Sequence, residues 1–241
     1  MRVGVVSDIH SNLPALEAVL SDMGEVDELW CLGDFVGYGP WPNECVSMLR
    51  ERGVRAIAGN HDLAVVGAIS TAAFNTDAAF ATAWTAEQLT PELTSYLAEL
   101  LPMIRLDRKT TLAHGSPRQP VWEYLLDDET AAASFKCFKT QLCFIGHTHI
   151  PSIFVKEGRR VTVSHMPESA QFTVGKLRAI ANPGSVGQPR DRDPRSSYLI
   201  FDSEQGTLEW RRVAYDIGRT QARMREVELP EFFVERLSIG V

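Results

Sequence analysis

The chain has 241 residues, 44% of them hydrophobic and 23% charged, with 17 glycines and 13 prolines, a composition that excludes collagen-like, coiled-coil and disordered classes. With 24 Lys and Arg against 31 Asp and Glu the net charge is −7, the wrong sign for a protein that lives on phosphate-backbone contacts, so nucleic acid is not the expected partner. No apolar run reaches the roughly 18 residues of a membrane span, and Val3–Val6 is too short for a signal peptide, so a cytoplasmic protein without a membrane partner is expected.

Val3–Ser7 reads as a buried strand. Leu13, Leu16, Val19, Leu20 and Met23 recur at helical spacing, with Ser11 or Asn12 as N-cap and Pro14 in the first turn, which predicts a helix over 13–23. Glu28–Leu32 reads as a second strand, Pro42–Glu51 as a second helix and Val54–Ala58 as a third strand. This alternation predicts a parallel sheet with right-handed crossovers. Residues 64–101, rich in Ala and Thr, are expected to be a helical insertion packed on the domain, with a lid or a homo-oligomer surface as the alternatives. Short strands follow at Thr110–Ala113, Leu142–Ile145, Ile153–Lys156, Arg160–Ser164, Gln171–Val174, Leu177–Ala181, Ser197–Phe201 and Thr207–Tyr215, with turns such as Glu157-Gly158 and Gln205-Gly206 between them. Asp216–Val227 reads as a basic surface helix with Arg219, Arg223 and Arg225 on a solvated face. No repeat or low-complexity linker interrupts the chain, so one domain over residues 1–241 is expected. Cys31, Cys45, Cys137 and Cys143 form no C-x-x-C pair and are expected to be reduced and mostly buried.

Five of the six histidines fall in short polar motifs after apolar strands. The motifs are Asp8-Ile9-His10, Gly59-Asn60-His61-Asp62, His114-Gly115 and Gly146-His147-Thr148-His149, and Gly33-Asp34 completes the set. Ligands of open α/β sheets bind beyond the carboxyl ends of the strands, where these motifs lie. In strand-like backbone residues i and i+2 project the same way, so Asp8 with His10, and His147 with His149, are expected to face one point. Two carboxylates, four imidazoles and an Asn amide are too many groups for one ion and suit two ions that share a carboxylate. Imidazole and carboxylate without thiolate favour Mn, Fe, Zn, Ni or Co over Ca or Mg. Two divalent ions outweigh the charge of Asp8 and Asp34, so such a site would attract phosphate even on an acidic protein. His165, outside the motifs, is expected to be an ordinary strand histidine.

Taken in this order, the motifs resemble the calcineurin-like metallophosphoesterase superfamily, in particular its small stand-alone bacterial and archaeal phosphodiesterases. The resemblance implies an α/β, four-layer fold with two mixed β-sheets sandwiched between helices. It implies one metal on Asp8, His10 and His149, a second on Asn60, His114 and His147, and Asp34 bridging both, with Mn favoured. It also implies that His61 protonates the leaving oxygen of a small phosphate-ester substrate while Asp62, hydrogen-bonded to His61, holds its charge. The expected reaction is hydrolysis of a phosphodiester by metal-hydroxide attack, without a phospho-enzyme. One departure bears on the substrate. Protein Ser/Thr phosphatases and symmetrical diadenosine tetraphosphatases carry a phosphate-clamping Arg after the Gly-Asp motif, whereas this chain reads Gly33-Asp34-Phe35-Val36-Gly37-Tyr38 with no Arg following. Tyr38 is therefore a candidate substrate contact, as are Ser185 and Arg190 in the Pro- and Gly-rich loop that starts at Asn182. Arg118, Arg192 and Arg195 are candidates for further positive charge near the mouth. The alternatives are an asymmetrical dinucleoside polyphosphate hydrolase, with a second pocket from Tyr38 and residues 182–195, and a non-catalytic scaffold or sensor, against which the complete ligand set speaks.

Overall fold

The structure is a computed structural model that describes residues 1–241. Its first strand, β1 (Arg2–Val6), is buried along nearly its whole length, as its apolar sequence requires of a central strand. Asn12 Oδ1 accepts from Ala15 N at 3.4 Å and starts α1 (Leu13–Met23), whose buried face carries Leu13, Leu16, Val19 and Met23. β2 (Glu28–Cys31), α2 (Pro42–Glu51) and β3 (Arg55–Ala56) follow, and the three strands pair in parallel as expected. β3 has only two residues, because beyond Ala56 the chain leaves the sheet edge for the motif loop.

The helical insertion resolves into several pieces. α3 (Asn60–Val65) opens inside the Gly-Asn-His-Asp motif, a 3₁₀ turn covers Thr71–Ala73, and α4 (Thr76–Gln88) and α5 (Pro91–Ala98) are capped by Asn75 and Thr90. The remaining elements are β4 (Met103–Arg105), β5 (Thr110–Ala113), α6 (Asp128–Ser134), β6 (Leu142–Phe144), β7 (Ser152–Glu157), β8 (Arg160–His165), β9 (Gln171–Thr173), β10 (Arg178–Asn182), β11 (Ser196–Asp202), β12 (Thr207–Val213), α7 (Ile217–Glu226) and α8 (Glu231–Arg236).

The strands form two six-stranded mixed sheets, in the orders β3-β2-β1-β11-β12-β9 and β4-β5-β6-β10-β7-β8. Alternation along the strands assigns side chains to layers. Val3, Val5 and Trp30 of the first sheet meet Leu112, Phe144, Ile153 and Ala179 of the second. On the outer face of the first sheet, Val6 and Cys31 pack against Leu16 and Val19 of α1 and Leu49 of α2. On the outer face of the second, Cys143, Phe154 and Ile180 pack against Ala131 of α6 and the following Phe135 and Phe138. The result is helix, sheet, sheet, helix: the four-layer α/β fold. A further cluster joins Ala78 and Ala81 of α4 to Met224 of α7 and Phe233 and Val234 of α8, at the rim of the site described next. No helix is long and apolar enough to cross a membrane. Cys31, Cys45 and Cys143 are buried, Cys137 is exposed, and all four are free.

Candidate metal centre

The motif residues do converge, but through a backbone other than the expected one. Asp8, His10, Asp34, His147 and His149 have φ of 54°, 48°, 53°, 65° and 60°. This left-handed region is uncommon for residues with a Cβ. The strands end before the motifs, and tight loops, not pleated strand, aim the side chains. Such a backbone costs on the order of 1 kcal/mol or more per residue and persists only where surrounding bonds hold it. Here Asp8 N donates to Gly33 O at 3.0 Å, His10 N to Asp34 O at 3.0 Å, and His147 N to the Asp8 carboxylate at 3.1 Å. Gly33 and Gly59 pass in backbone contact: a Cβ on Gly59 would run into the Asp34 carboxylate.

Three imidazoles have their tautomer fixed. Nδ1 of His10 donates to Val36 O at 3.0 Å, Nδ1 of His114 to Leu32 O at 2.8 Å and Nδ1 of His149 to Gln188 O at 2.5 Å. A carbonyl can only accept, so Nδ1 carries the proton and, in the neutral ring, Nε2 presents a lone pair inward. The Nε2 atoms of His10 and His149 face each other at 3.2 Å. His149 Nε2 lies 3.3 Å from Asp8 Oδ1, and His10 Nε2 lies 3.6 Å from Asp34 Oδ2. Lone pairs and carboxylate oxygens gathered at one point repel unless a cation lies among them. A second group stands beside the first. His114 Nε2 is 3.4 Å from Asp34 Oδ2 and 3.0 Å from Asn60 Oδ1, and His147 Nε2 is buried without any hydrogen-bond partner. The donor atoms of Asp8, His10, Asp34 and His149 lie within 4.8 Å of one another, as do those of Asp34, His114 and His147. Asp34 belongs to both groups. All seven residues, Asn60 included, are at most 4% exposed. This donor set fits two divalent cations sharing one carboxylate.

The electrostatics agree. Burial holds His10 well below the ordinary imidazole pKa, lowers His149, and takes His147 down to about 3. Burial opposes the charge of Asp34, but His114 and His61 outweigh it and hold the carboxyl well below its ordinary range. These are the protonation states that metal ligands need. His114 is the exception: burial works against its charge, yet Asp34 prevails and raises it to about 9.

Around the donors the structure corrects several expectations. Asp62 makes no hydrogen bond to His61. Its carboxylate accepts from Gly59 N at 2.9 Å and Val36 N at 3.2 Å, closing the first turn of α3 and tying it to the Gly-Asp loop. Burial, reinforced by Asp34, pushes its pKa up to about 7, which makes it a poor anchor for a charged imidazole. His61 instead shares a hydrogen bond between Nε2 and the Tyr38 hydroxyl at 3.0 Å, and its backbone N–H donates to Asp34 Oδ1 at 2.9 Å. Burial takes His61 down to about 4, so at neutral pH the ring is uncharged. Ser185 is not a surface group either. Its hydroxyl donates to Asp8 O at 2.8 Å and accepts from Gln188 N at 2.8 Å, so it positions the backbone of one ligand and the carbonyl partner of another. The whole stretch 182–189 is buried and presents no exposed amides. Arg118 is paired with Glu123, and Arg195 with Asp193 and Glu168, so neither supplies free charge. Arg192 does not line the cleft. His165 lies exposed at the end of β8, as expected.

Arg190 and Tyr38 do line the cleft over the donors, with the guanidinium 5.9 Å from the centre of the Tyr38 ring. The cleft has a volume of about 180 Å³ and also admits Asp34, Asn60, His61, His147 and His149. Phe74, Trp122 and Tyr124 also line it, none of which the motifs pointed to. Only their aromatic character in polar loop sequence set them apart. Phe233 of α8 backs Tyr38, ring centres 4.6 Å apart.

Residues 1–206 match the model of the calcineurin-like phosphoesterase superfamily domain. An uncharacterised protein of Methanocaldococcus jannaschii is 38% identical over 246 residues, an alignment that covers 99% of this chain and 98% of that one. A solved metallophosphoesterase from Sphaerobacter thermophilus is 47% identical with a TM-score of 0.92, covering 100% of this chain and 99% of that one. A hypothetical protein of Pyrococcus horikoshii shares the fold at 22% identity, with a TM-score of 0.80 and coverage of 100% and 98%.

Proposed function

The chain belongs to the calcineurin-like phosphoesterase superfamily, and from that premise we propose that it is a phosphodiesterase dependent on two divalent ions, Mn favoured, that hydrolyses small organic or nucleotide phosphates. The observation that carries this reading is Asp34, whose carboxylate belongs to both donor groups beneath one cleft. Asp8, His10 and His149 would hold one ion and Asn60, His114 and His147 the other, each with Asp34. When bound, the two ions supply Lewis-acid stabilisation of phosphoryl charge and a nucleophile at neutral pH.

The chain's own residues do the rest. Arg190 sets a fixed positive charge at the mouth of the cleft and draws the phosphate in. His61, uncharged in the free protein, gains proton affinity when an anion settles beside it, and then holds a proton for the leaving oxygen. The Tyr38 hydroxyl keeps the His61 ring turned toward that position. No Ser, Thr or Cys lines the cleft, which favours direct hydrolysis over a phospho-enzyme. A dinucleoside polyphosphate hydrolase would need a second phosphate pocket; residues 182–189 are buried, and beyond them Arg195 is paired with Asp193 and Glu168 and Arg212 with Asp191, so those two guanidiniums are already neutralised.

The test pairs metal analysis with hydrolysis of bis-p-nitrophenyl phosphate, p-nitrophenyl phosphate and diadenosine tetraphosphate in Mn²⁺ and after chelation. The expected result is about two ions per chain and diester turnover that stops on chelation. Asp34→Asn is expected to lower that turnover at least ~100-fold. Metal bound without turnover of any ester would favour the scaffold or sensor instead.

A further inference from the structure

We propose that Trp122, Tyr124 and Phe74 form a wall that binds a flat aromatic or heteroaromatic ring, so that the esters this site accepts are those of ring-bearing alcohols such as nucleosides. The inference deepens the phosphodiesterase reading and rests on it. Trp122, 38% exposed, and Tyr124, 49% exposed, both line the cleft over the donors. Exposed aromatic surface of this kind gains free energy when a second ring covers it. The rings are ordered. Tyr124 lies flat on His147, centres 4.2 Å apart and planes within 12°. Trp122 stands edge-on to Phe74 at 5.6 Å and 81°, and Phe74 packs on His61 at 4.7 Å. The wall thus runs from a donor of the metal centre to the residue assigned to the leaving oxygen.

The loop that carries it is built before any substrate arrives. Glu123, between the two exposed rings, is tied to Ser116 Oγ at 2.5 Å and to Arg118 Nε at 2.9 Å. Gly115 N donates to Pro120 O at 2.7 Å across the same loop. A pre-ordered wall loses little conformational freedom when it binds. The cleft joins polar donors and Arg190 to aromatic rings stacked directly beside them, the complement of an ester whose flat group lies close to its phosphate. Its volume of about 180 Å³ suits one ring system, not a polymer.

Two diesters with the same non-aromatic leaving group test the wall: the 2,2,2-trifluoroethyl esters of thymidine 5′-phosphate and of methyl phosphate, with release of trifluoroethanol followed by fluorine NMR. The kcat/KM of the thymidine ester is expected to be at least ~10-fold higher, within the range of ring stacking. Trp122→Ala and Tyr124→Ala are each expected to cut that ratio at least ~5-fold, and Trp122→Phe to keep most of it. A wild-type ratio near one, or a ratio that neither alanine variant changes, overturns the proposal. Should neither ester turn over, the phosphodiesterase reading fails and equilibrium binding decides the wall alone. Calorimetry of the Mn²⁺-loaded protein is then expected to show adenosine 5′-monophosphate at least ~10-fold tighter than ribose 5-phosphate, with the difference lost in Trp122→Ala. Equal binding of the two overturns the wall.

Discussion

His114 is the one imidazole of the centre that Asp34 keeps protonated near neutral pH, with its pKa raised to about 9. A cation at Nε2 must displace that proton, so binding at this position competes with hydrogen ions. The sign follows: the metal-free protein holds the proton below pH 9 and loses it above. Affinity for the ion at the His114 position is therefore expected to rise about tenfold per pH unit between pH 6.5 and 8.5, and to level off above pH 9. Titration against a competing chelator at several pH values reads this directly, and a flat profile would refute it. At this scale the sequence revealed which residues meet, because Asp-x-His, Gly-Asn-His-Asp and Gly-His-Thr-His are unusual polar endings for apolar strands. It did not reveal how they are held. The bonds from Val36 to Asp62 and from Ser185 to Asp8 join residues 26 and 177 positions apart, and no spacing rule reaches that far. Hence Asp62 looked like the partner of its neighbour His61, and Ser185 like a surface hydroxyl.

Among the elements, the loop between β3 and α3 bears one of the tightest approaches. Gly59 touches Asp34 with no room for a side chain. Gly59→Ala is expected to destabilise the fold by about 2–4 kcal/mol, the range of overpacking at a site that cannot yield. It is also expected to lower metal affinity, because the shared carboxylate must move. Denaturant unfolding and metal analysis of the variant check both, and a variant with wild-type stability and full metal content would contradict the geometry. Elements of ten residues or so with a clear period, such as α1 and α2, were readable in advance. Those that escaped include α3, β4, α6 and α8, of six, three, seven and six residues. Elements so short complete too few turns or alternations to leave a pattern, and packing rather than propensity sets them. α6 is an instance: its cap, Asp127 accepting from Thr130 N at 2.7 Å, is local, but Ala131 and the adjoining Phe135 matter only against the second sheet.

The whole molecule brings the two sheets together at the donors. Asp8, Asp34 and Asn60 follow strands of the first sheet, and His114, His147 and His149 follow strands of the second. An ion held by both groups therefore ties sheet to sheet, and only the folded chain can hold it. At a thousandfold excess over Kd such linkage adds about 4 kcal/mol. For a chain of this size that is a rise in Tm of about 8–16 °C. Calorimetric scans with Mn²⁺ and with a chelator are expected to differ by that amount, and coincident scans would show that the folded donors hold no ion. The strand order carries one more consequence. β1 lies between β2 and β11, and β11 begins only at Ser196. As the protein is synthesised, β1 thus waits for a strand made much later, one edge bare until β11 has left the ribosome. Joining β11 to β1 closes a very long loop, the slow kind of step in folding. The nascent chain consequently carries β1 with one edge unpaired, and the first sheet, with donors of the centre at its strand ends, is complete only when β11 docks.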